Sequence, residues 1–579
     1  MWVLKLIFIQ IFLLYSTISF GQLNKKFNIL CQSIYIRSPA SLVLSESEKK
    51  LVCSDHSVAP YDKIPNNQRR YLLEKFLESR GYYDYQIEEK SQNLYIDSGA
   101  VAITRSIIIR NDPFGIDPSR FWKAYGHPLT STSLDRIEEW VRDQLSKHGY
   151  PCVKIRTLAY PERGDIEINI EDAKQKKFGR VTMDPISGLI GGIESRYQAF
   201  KSGDIFDSRL LAVSNQRMLA SELVLNATYA INCSTDENIQ IDFSHLAGKP
   251  RLVSISTGFD TEEIFNFEAS WQHARLGELG SMMLLSAKSS YRTQNLRFLY
   301  DWYYAPFPIK HSIKTFLTVK RDFEKDYENI QFQTQVGPTF SFDYAAALIE
   351  FWLGLKYEYN EVLRGEGLGQ SHSLPLVFNL DLQDHDYELN QSDPSSGYRL
   401  NLTIENSSKD LASDFSEFRV RMDALFLKNL FKLDPAVWVL GLRASLETIN
   451  LGSDAELDKY PQSKRLYLGG SDSIRGFARK SIPQGGALTK LYLGTELRLL
   501  QLFPFGLQPV IFLDYARQGR KAAFLKPTNF WSPGVGMHWK TFIGLIRGTV
   551  SYGLISGQDK DNYANKEGLQ VYLSYGENF

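Results

Sequence analysis

The stretch FWLGLKYEY, residues 351–359, decides how the second half of this chain is read. Phe351, Leu353, Leu355, Tyr357 and Tyr359 alternate with Trp352, Gly354, Lys356 and Glu358. Successive side chains of an extended chain point to opposite sides, so a period of two means a strand with one apolar and one polar face. The pattern recurs outward in both directions. Toward the N-terminus, Ile330, Phe332, Thr334 and Val336 alternate with three glutamines, and Phe265, Phe267, Ala269 and Trp271 alternate with Asn266, Glu268, Ser270 and Gln272. Toward the C-terminus, Trp438, Leu440, Leu442, Ala444 and Leu446 alternate with Val439, Gly441, Arg443, Ser445 and Glu447, and LQVYLSY at 569–575 alternates almost to the chain end.

A water-soluble sandwich would show the same alternation. Length and aromatics favour a membrane wall instead. The strands run near ten residues, with tyrosine, tryptophan and phenylalanine toward their ends, as at Trp302-Tyr303-Tyr304, which matches a bilayer span with aromatic girdles. Residues 249–579, at roughly 20 per strand and connection, predict a transmembrane antiparallel β-barrel of about 16 strands. Closure is obligatory, because lipid offers no partner to an open edge. The last strand is expected over Tyr563–Phe579, with Tyr575 and Phe579 as its terminal signal, and the first near Leu252–Phe259, the two meeting at a weak seam.

Composition agrees. Sixty-six Lys and Arg balance sixty-six Asp and Glu, which argues against a nucleic-acid partner. The 40 glycines, 31 tyrosines and 35 phenylalanines, with a slightly negative mean hydropathy, exclude a bundle of membrane helices but not a barrel. MWVLKLIFIQIFLLYSTISFGQ has one lysine, an apolar run and the small-x-small pattern Ser19-Phe20-Gly21, so residues 1–21 read as a secretory signal peptide. Export permits disulfides. Cys31 and Cys53 are close enough in sequence to pair, Cys152 and Cys233 are far apart, and buried thiols are an equal alternative. No cysteine or histidine spacing fits a metal, no glycine-rich phosphate loop opens a helix, and Gly470-Ser471-Asp472-Ser473 lacks a nucleophile elbow. The chain is expected to have no cofactor, no metal and no enzymatic activity.

Residues 22–248 mix helix and strand. The clearest unit has a strand in 102–110, a short helix opening at Asp117-Pro118 and the helix SLDRIEEWVRDQLSK, with Leu134, Ile137, Trp140, Val141 and Leu145 on one stripe. Strands at 153–156 and 165–170 close it, in the order β-α-α-β-β. A helix at Gln68–Leu77 followed by Gly81-Tyr82, and another from Ser208 to Leu219 after a strand at Phe178, repeat the phrase. Three modules are expected, over 22–100, 101–173 and 174–248. Their open strand edges are able to accept an extended peptide as one more strand.

One segment breaks the barrel pattern. LYLGGSDSIRGFARK, 466–480, sets Arg475 among Gly469, Gly470 and Gly476. In LYLGTELRL, 491–499, Glu496 shares the polar face with Gly494 and Arg498; in VIFLDYA, 510–516, Asp514 shares a face with Phe512 and Ala516. Parity thus allows a long loop to fold into the lumen and present Arg475 to Glu496 and Asp514, since a buried charge is stable only when paired and a guanidinium fork binds two acceptors. The other reading is a surface loop with Arg475 in water.

Leu468-Gly469-Gly470 followed by Ile474-Arg475-Gly476-Phe477 resembles the Arg-Gly-Phe loop of the BamA/TamA superfamily of barrel-assembly and protein-translocation proteins. Phe512-Leu513-Asp514-Tyr515-Ala516 resembles its Phe-x-Asp-x-Gly strand motif, with Ala516 where glycine is usual. Gly534–Thr541 with Ile543–Arg547, and Asp393–Leu400, are similar to further barrel elements. The upstream units resemble polypeptide-transport-associated (POTRA) modules, three as in TamA, with Phe178-Gly179 and Gly203-Asp204 like the TamA-type third module. The resemblance implies an outer-membrane protein with periplasmic modules, embedded in outer-membrane lipid, whose partners are unfolded outer-membrane or secreted clients. An inner-membrane-anchored partner subunit is compatible with it. It implies that Arg475 pairs inside the lumen with Asp514 first and Glu496 second. The rivals are a passive porin, which the modules and the arginine loop disfavour, and lipid transport to the outer membrane.

Overall fold

The computed structural model describes residues 27–575 apart from 32–33, 38–44, 46, 48–51, 53–64, 92, 187–188, 234–236, 368, 390–393, 434–435, 454–456, 542–543 and 559. The expected signal peptide over residues 1–21, Cys53, Asp393, Ile543 and Phe579 therefore lie outside the described residues. The chain forms two compact units, divided between Lys174 and Gln175.

The first unit holds two α+β layers. In the first, helix α1 (Asn66–Ser79) packs Leu73 and Leu77 against Ile34, Leu94 and Ile96 of a four-stranded sheet. In the second, α2 (Ser131–Lys147) starts at a reciprocal cap, where Thr130 Oγ1 accepts from the Ser133 amide and Ser133 Oγ from the Thr130 amide. Its buried stripe of Ile137, Val141 and Leu145 lies on Ile166, Ile168 and Ile170. Each such fully buried side chain stabilises the layer by roughly 1.5–3 kcal/mol. The sheet runs Ser106–Arg110, Asp165–Glu171, Lys154–Tyr160, the first pair parallel and the second antiparallel. The first strand is shorter than the sequence predicts because residues 101–104 are used elsewhere. Ala102 donates to Gly81 O and accepts from the Leu129 amide, joining the two layers.

In the second unit a third layer precedes the wall. Helix α3 (Ser208–Ala220) covers a sheet in the order Lys177–Met183, Asn238–Ala247, Val224–Asn232. Among the described residues no cysteine is free.

The wall is a closed antiparallel barrel of 16 strands. These are β1 (Arg251–Asp260), β2 (Ile264–Leu276), β3 (Ser281–Ser290), β4 (Thr293–Tyr303), β5 (Ser312–Phe323), β6 (Glu328–Tyr344), β7 (Ala347–Arg364) and β8 (Gln370–Ser373 continued as Leu376–Asp384). They continue as β9 (Gly397–Ser407), β10 (Glu417–Leu433), β11 (Ala436–Leu451), β12 (Thr489–Leu500), β13 (Leu507–Gly519), β14 (Thr528–Thr541), β15 (Gly544–Gly557) and β16 (Gly568–Tyr575). The two pieces of β8 pair with successive stretches of β7 on either side of Leu374-Pro375, where proline supplies no ladder donor. The last strand starts at Gly568 rather than Tyr563. Residues Lys560–Lys566 instead form a 3-10 turn that lays Tyr563 edge-on against Phe530.

Burial identifies the medium outside the wall. On β7, Leu353 and Leu355 are 43% and 51% exposed, while Lys356 and Glu358 on the opposite face are 7% and 3% exposed. A water-soluble sheet buries the reverse set. Here the apolar face points outward into hydrocarbon and the polar face inward to a lumen. Trp302, Tyr304 and Trp539 sit exposed on the outer face near the end from which the third layer leads in.

That layer is fastened to the wall. Arg217 of α3 donates to Asp343 at 2.6 and 3.1 Å and to Glu388 at 2.5 and 3.0 Å, and Lys310 bridges Asp343 to Gln198 O at 2.8 Å each. Arg196 donates to Leu279 O at 2.7 Å, with its guanidinium 3.7 Å from the Tyr303 ring centroid. Burial alone would lower the Arg217 pKa, yet its two carboxylate partners raise it.

The module core yields a direct test. Ile137→Ala removes a fully buried side chain and is expected to destabilise the first unit by about 2–5 kcal/mol. Urea titration followed by limited proteolysis should show residues 101–174 cleaved at lower denaturant, with the barrel's heat-modifiable migration unchanged.

Candidate functional site

The loop between β11 and β12 re-enters the lumen, and its glycines are required where it does so. Gly469 has φ +103°, and a Cβ there would lie 2.1 Å from Ala478 O. Where the loop crosses the wall, a Cβ on Gly476 would come within 2.6 Å of the Gly553 nitrogen on β15, and one on Gly553 within 2.3 Å of Gly476 O. Backbone lies on backbone at this crossing.

This approach delivers Arg475 to two strands. Its Nε and Nη2 donate to Asp514 Oδ2 and Oδ1 at 2.9 and 2.8 Å, and its own amide donates to Oδ2 at 3.1 Å. Nη1 reaches Glu496 Oε2 at 3.0 Å. Tyr492 adds a fourth donor to Asp514, at 3.2 Å from Oδ1. The guanidinium stacks 3.3 Å from the Phe512 ring centroid, and a Cβ on Gly534, the register partner of Phe512 on β14, would strike that ring. Arg475 is 7% exposed, Glu496 8% and Asp514 0%.

Apolar contacts finish the seat. Phe477 is fully buried with Ile474, Leu468, Ile482, Tyr492, Ala516, Phe530 and Ile555, and meets Phe530 edge-on at 5.7 Å. Ala516 is fully buried in this cluster, so its methyl occupies space beside the loop. Tyr575 lies elsewhere, at the barrel closure, where it pairs with Phe259.

Other participants escaped the sequence reading. Ser551 Oγ donates to Arg475 O at 2.5 Å, and the Tyr572 hydroxyl donates to Phe477 O at 2.8 Å. At the far end of the lumen a second charge cluster holds the base of the loop. Lys464 meets Glu358 and Glu417 at 2.9 and 3.2 Å, Arg419 meets Glu417 and Glu447 at 3.0 and 3.5 Å, and Lys356 meets Glu405 at 2.6 Å. The signal for this cluster was present, since Lys356 and Glu358 share the polar parity of β7, but parity does not say which loop residue comes to meet them.

Arg475→Ala leaves the fully buried Asp514 carboxylate without its cation, a change expected to cost about 3–5 kcal/mol. Arg475→Lys keeps the charge but not the fork and should fall between parent and alanine variant. Protease cutting within 466–480 and the temperature at which heat-modifiable migration is lost measure both.

An Omp85 superfamily domain matches residues 285–579, about half of the chain. Among solved structures, BamA from Haemophilus ducreyi lacking POTRA domains 1–3 is similar over 82% of this chain and 99% of that one, at 14% identity and a TM-score of 0.49. CdiB from Acinetobacter baumannii is similar over 92% and 99%, at 12% identity and a TM-score of 0.48. CdiB from Escherichia coli covers 93% and 99%, at 14% identity and a TM-score of 0.47. On the domain match over its C-terminal half, the chain belongs to the Omp85 superfamily.

Proposed function

We propose that this chain is an outer-membrane assembly or translocation factor with no chemical step of its own. Its modules stand in the periplasm and take up unfolded client polypeptides as added strands, and the barrel passes them into or across the membrane at its seam. The observation that carries this reading is the unequal pairing around the wall. Every residue of β1 from Arg251 to Asp260 has a register partner on β2, whereas among the described residues β1 meets β16 only at Phe259–Tyr575 and Asp260–Ser574. Within the wall, a weakly paired strand edge is where a client strand can add by main-chain hydrogen bonding.

The module edges support the same reading. Leu158 on the edge strand Lys154–Tyr160 and Leu225 on the edge strand Val224–Asn232 are 50% and 64% exposed, so apolar side chains flank open edges. A passive channel is disfavoured by the re-entrant loop held within the lumen.

Cysteines placed at Phe259 and Tyr575, which face each other across the seam, should arrest client assembly when oxidised, with each single-cysteine variant active. Full activity of the oxidised pair counts against the seam as the entry site. Outer-membrane proteomics after depletion tests the function itself. Loss of a defined set of barrels or secreted proteins is the expected result. Altered solute uptake or lipid composition with an unchanged proteome would instead favour a channel or lipid traffic.

A further inference from the structure

Residues 466–480 touch both flanks of the seam. On the last-strand side, Tyr572 of β16 donates to Phe477 O at 2.8 Å, and Ser551 of the neighbouring β15 donates to Arg475 O at 2.5 Å. On the first-strand side the β1–β2 turn contributes two carboxylates. Glu262 Oε2 accepts from Ser471 Oγ at 2.6 Å and from the Ser471 amide at 3.2 Å, and Glu263 Oε1 lies 3.2 Å from Arg479. The turn is itself braced. Asp260 Oδ1 accepts from the amides of Glu262 and Glu263 at 2.8 and 2.6 Å, and Arg292 Nε donates to Glu262 O at 2.7 Å.

These contacts differ in strength from the arginine seat. Asp514 receives three donors from Arg475 and one from Tyr492, all in a buried site. Each flank is slighter: one hydroxyl to one carbonyl at each of Tyr572 and Ser551 on the last-strand side, and on the first-strand side Ser471 on a single Glu262 oxygen with one Arg479–Glu263 contact. The loop is therefore anchored firmly to β12 and β13 and reaches from that anchor to both edges of the closure. Beyond the two register pairs, Thr261 and Leu573 link directly across the seam, the Thr261 amide donating to Leu573 O at 3.0 Å and the Leu573 amide donating to Thr261 Oγ1 at 3.4 Å.

We propose that the re-entrant loop is a latch across the seam, with Glu262 holding the first-strand flank and Tyr572 the last-strand flank, and that the seam opens to a client strand only after one flank is released. The release step rests on the client-entry reading above; the latch itself does not. The anchor explains why a flank, rather than the whole loop, is what lets go.

Hydrogen exchange on the full chain in lipid nanodiscs tests the latch. In Glu262→Ala and in Tyr572→Phe, the amides of 251–260 and 568–575 should exchange roughly tenfold faster than in the parent, with the β4–β5 hairpin unchanged, as expected when local opening becomes easier without global unfolding. Ser471→Ala loosens the first flank from the loop side and serves if Glu262→Ala fails to give a heat-modifiable barrel. Unchanged seam exchange in the single variants and in Ser471→Ala combined with Tyr572→Phe overturns the latch. The release step is tested by Glu262→Cys with Ser471→Cys. Oxidation should stop client assembly, and full assembly in the oxidised protein overturns that step. If depletion of the parent changes no client, the release step falls with the client-entry reading, and the exchange result still decides the latch.

Discussion

Lipid supplies no hydrogen-bond partner to a peptide group, and the rest of this structure depends on that constraint. The wall has to close on itself, and closing sixteen antiparallel strands brings the two ends of the barrel sequence together. The same constraint turns the sheet inside out relative to a soluble one. Leu353 and Leu355 face outward because hydrocarbon accepts them, and Lys356 and Glu358 face inward because the lumen is where charges find partners. A polar lumen makes a charged re-entrant loop tolerable. An apolar one would not admit Arg475.

Within that lumen, geometry decides what each charge does. Arg475 is stable at 7% exposure because Asp514 takes two of its side-chain donors and its amide, and Glu496 takes a third side-chain donor. Removing water on all sides raises the cost of any missing partner, so the assembly is stable only when complete. The glycine-on-glycine crossing at Gly476 and Gly553 sets the loop's depth, and Phe512, with room left by Gly534, sets its lateral position. The charge cluster around Lys464 anchors the base of the same loop, so one excursion of chain is held near its tip and its base by unlike means.

At the other end, the third layer belongs to the same compact unit as the wall. The clamp of Arg217 on Asp343 and Glu388 fixes α3 to a strand end and to the connection after β8. The barrel entrance is thus built from two parts of the chain more than 100 residues apart.

Much of this was legible in the residues. Alternation at 264–272, 330–336, 351–359 and 438–447 specifies strands and their two faces, because side-chain direction in a strand is local geometry. The stripe of Ile137, Val141 and Leu145 specifies α2 for the same reason. Parity also puts Glu496 and Asp514 on the lumen side, since each is tied to its strand neighbours. The pairing of Phe259 with Tyr575 and Asp260 with Ser574, the backing of Asp514 by Tyr492 and of the Arg475 carbonyl by Ser551, the reach of the loop to Glu262 and Tyr572, and the clamp of Arg217 on Asp343 and Glu388 were decided only by the tertiary structure. Each of these joins positions far apart in the chain, and which of them meet depends on barrel closure and loop path, neither of which is written in the local spacing of any strand.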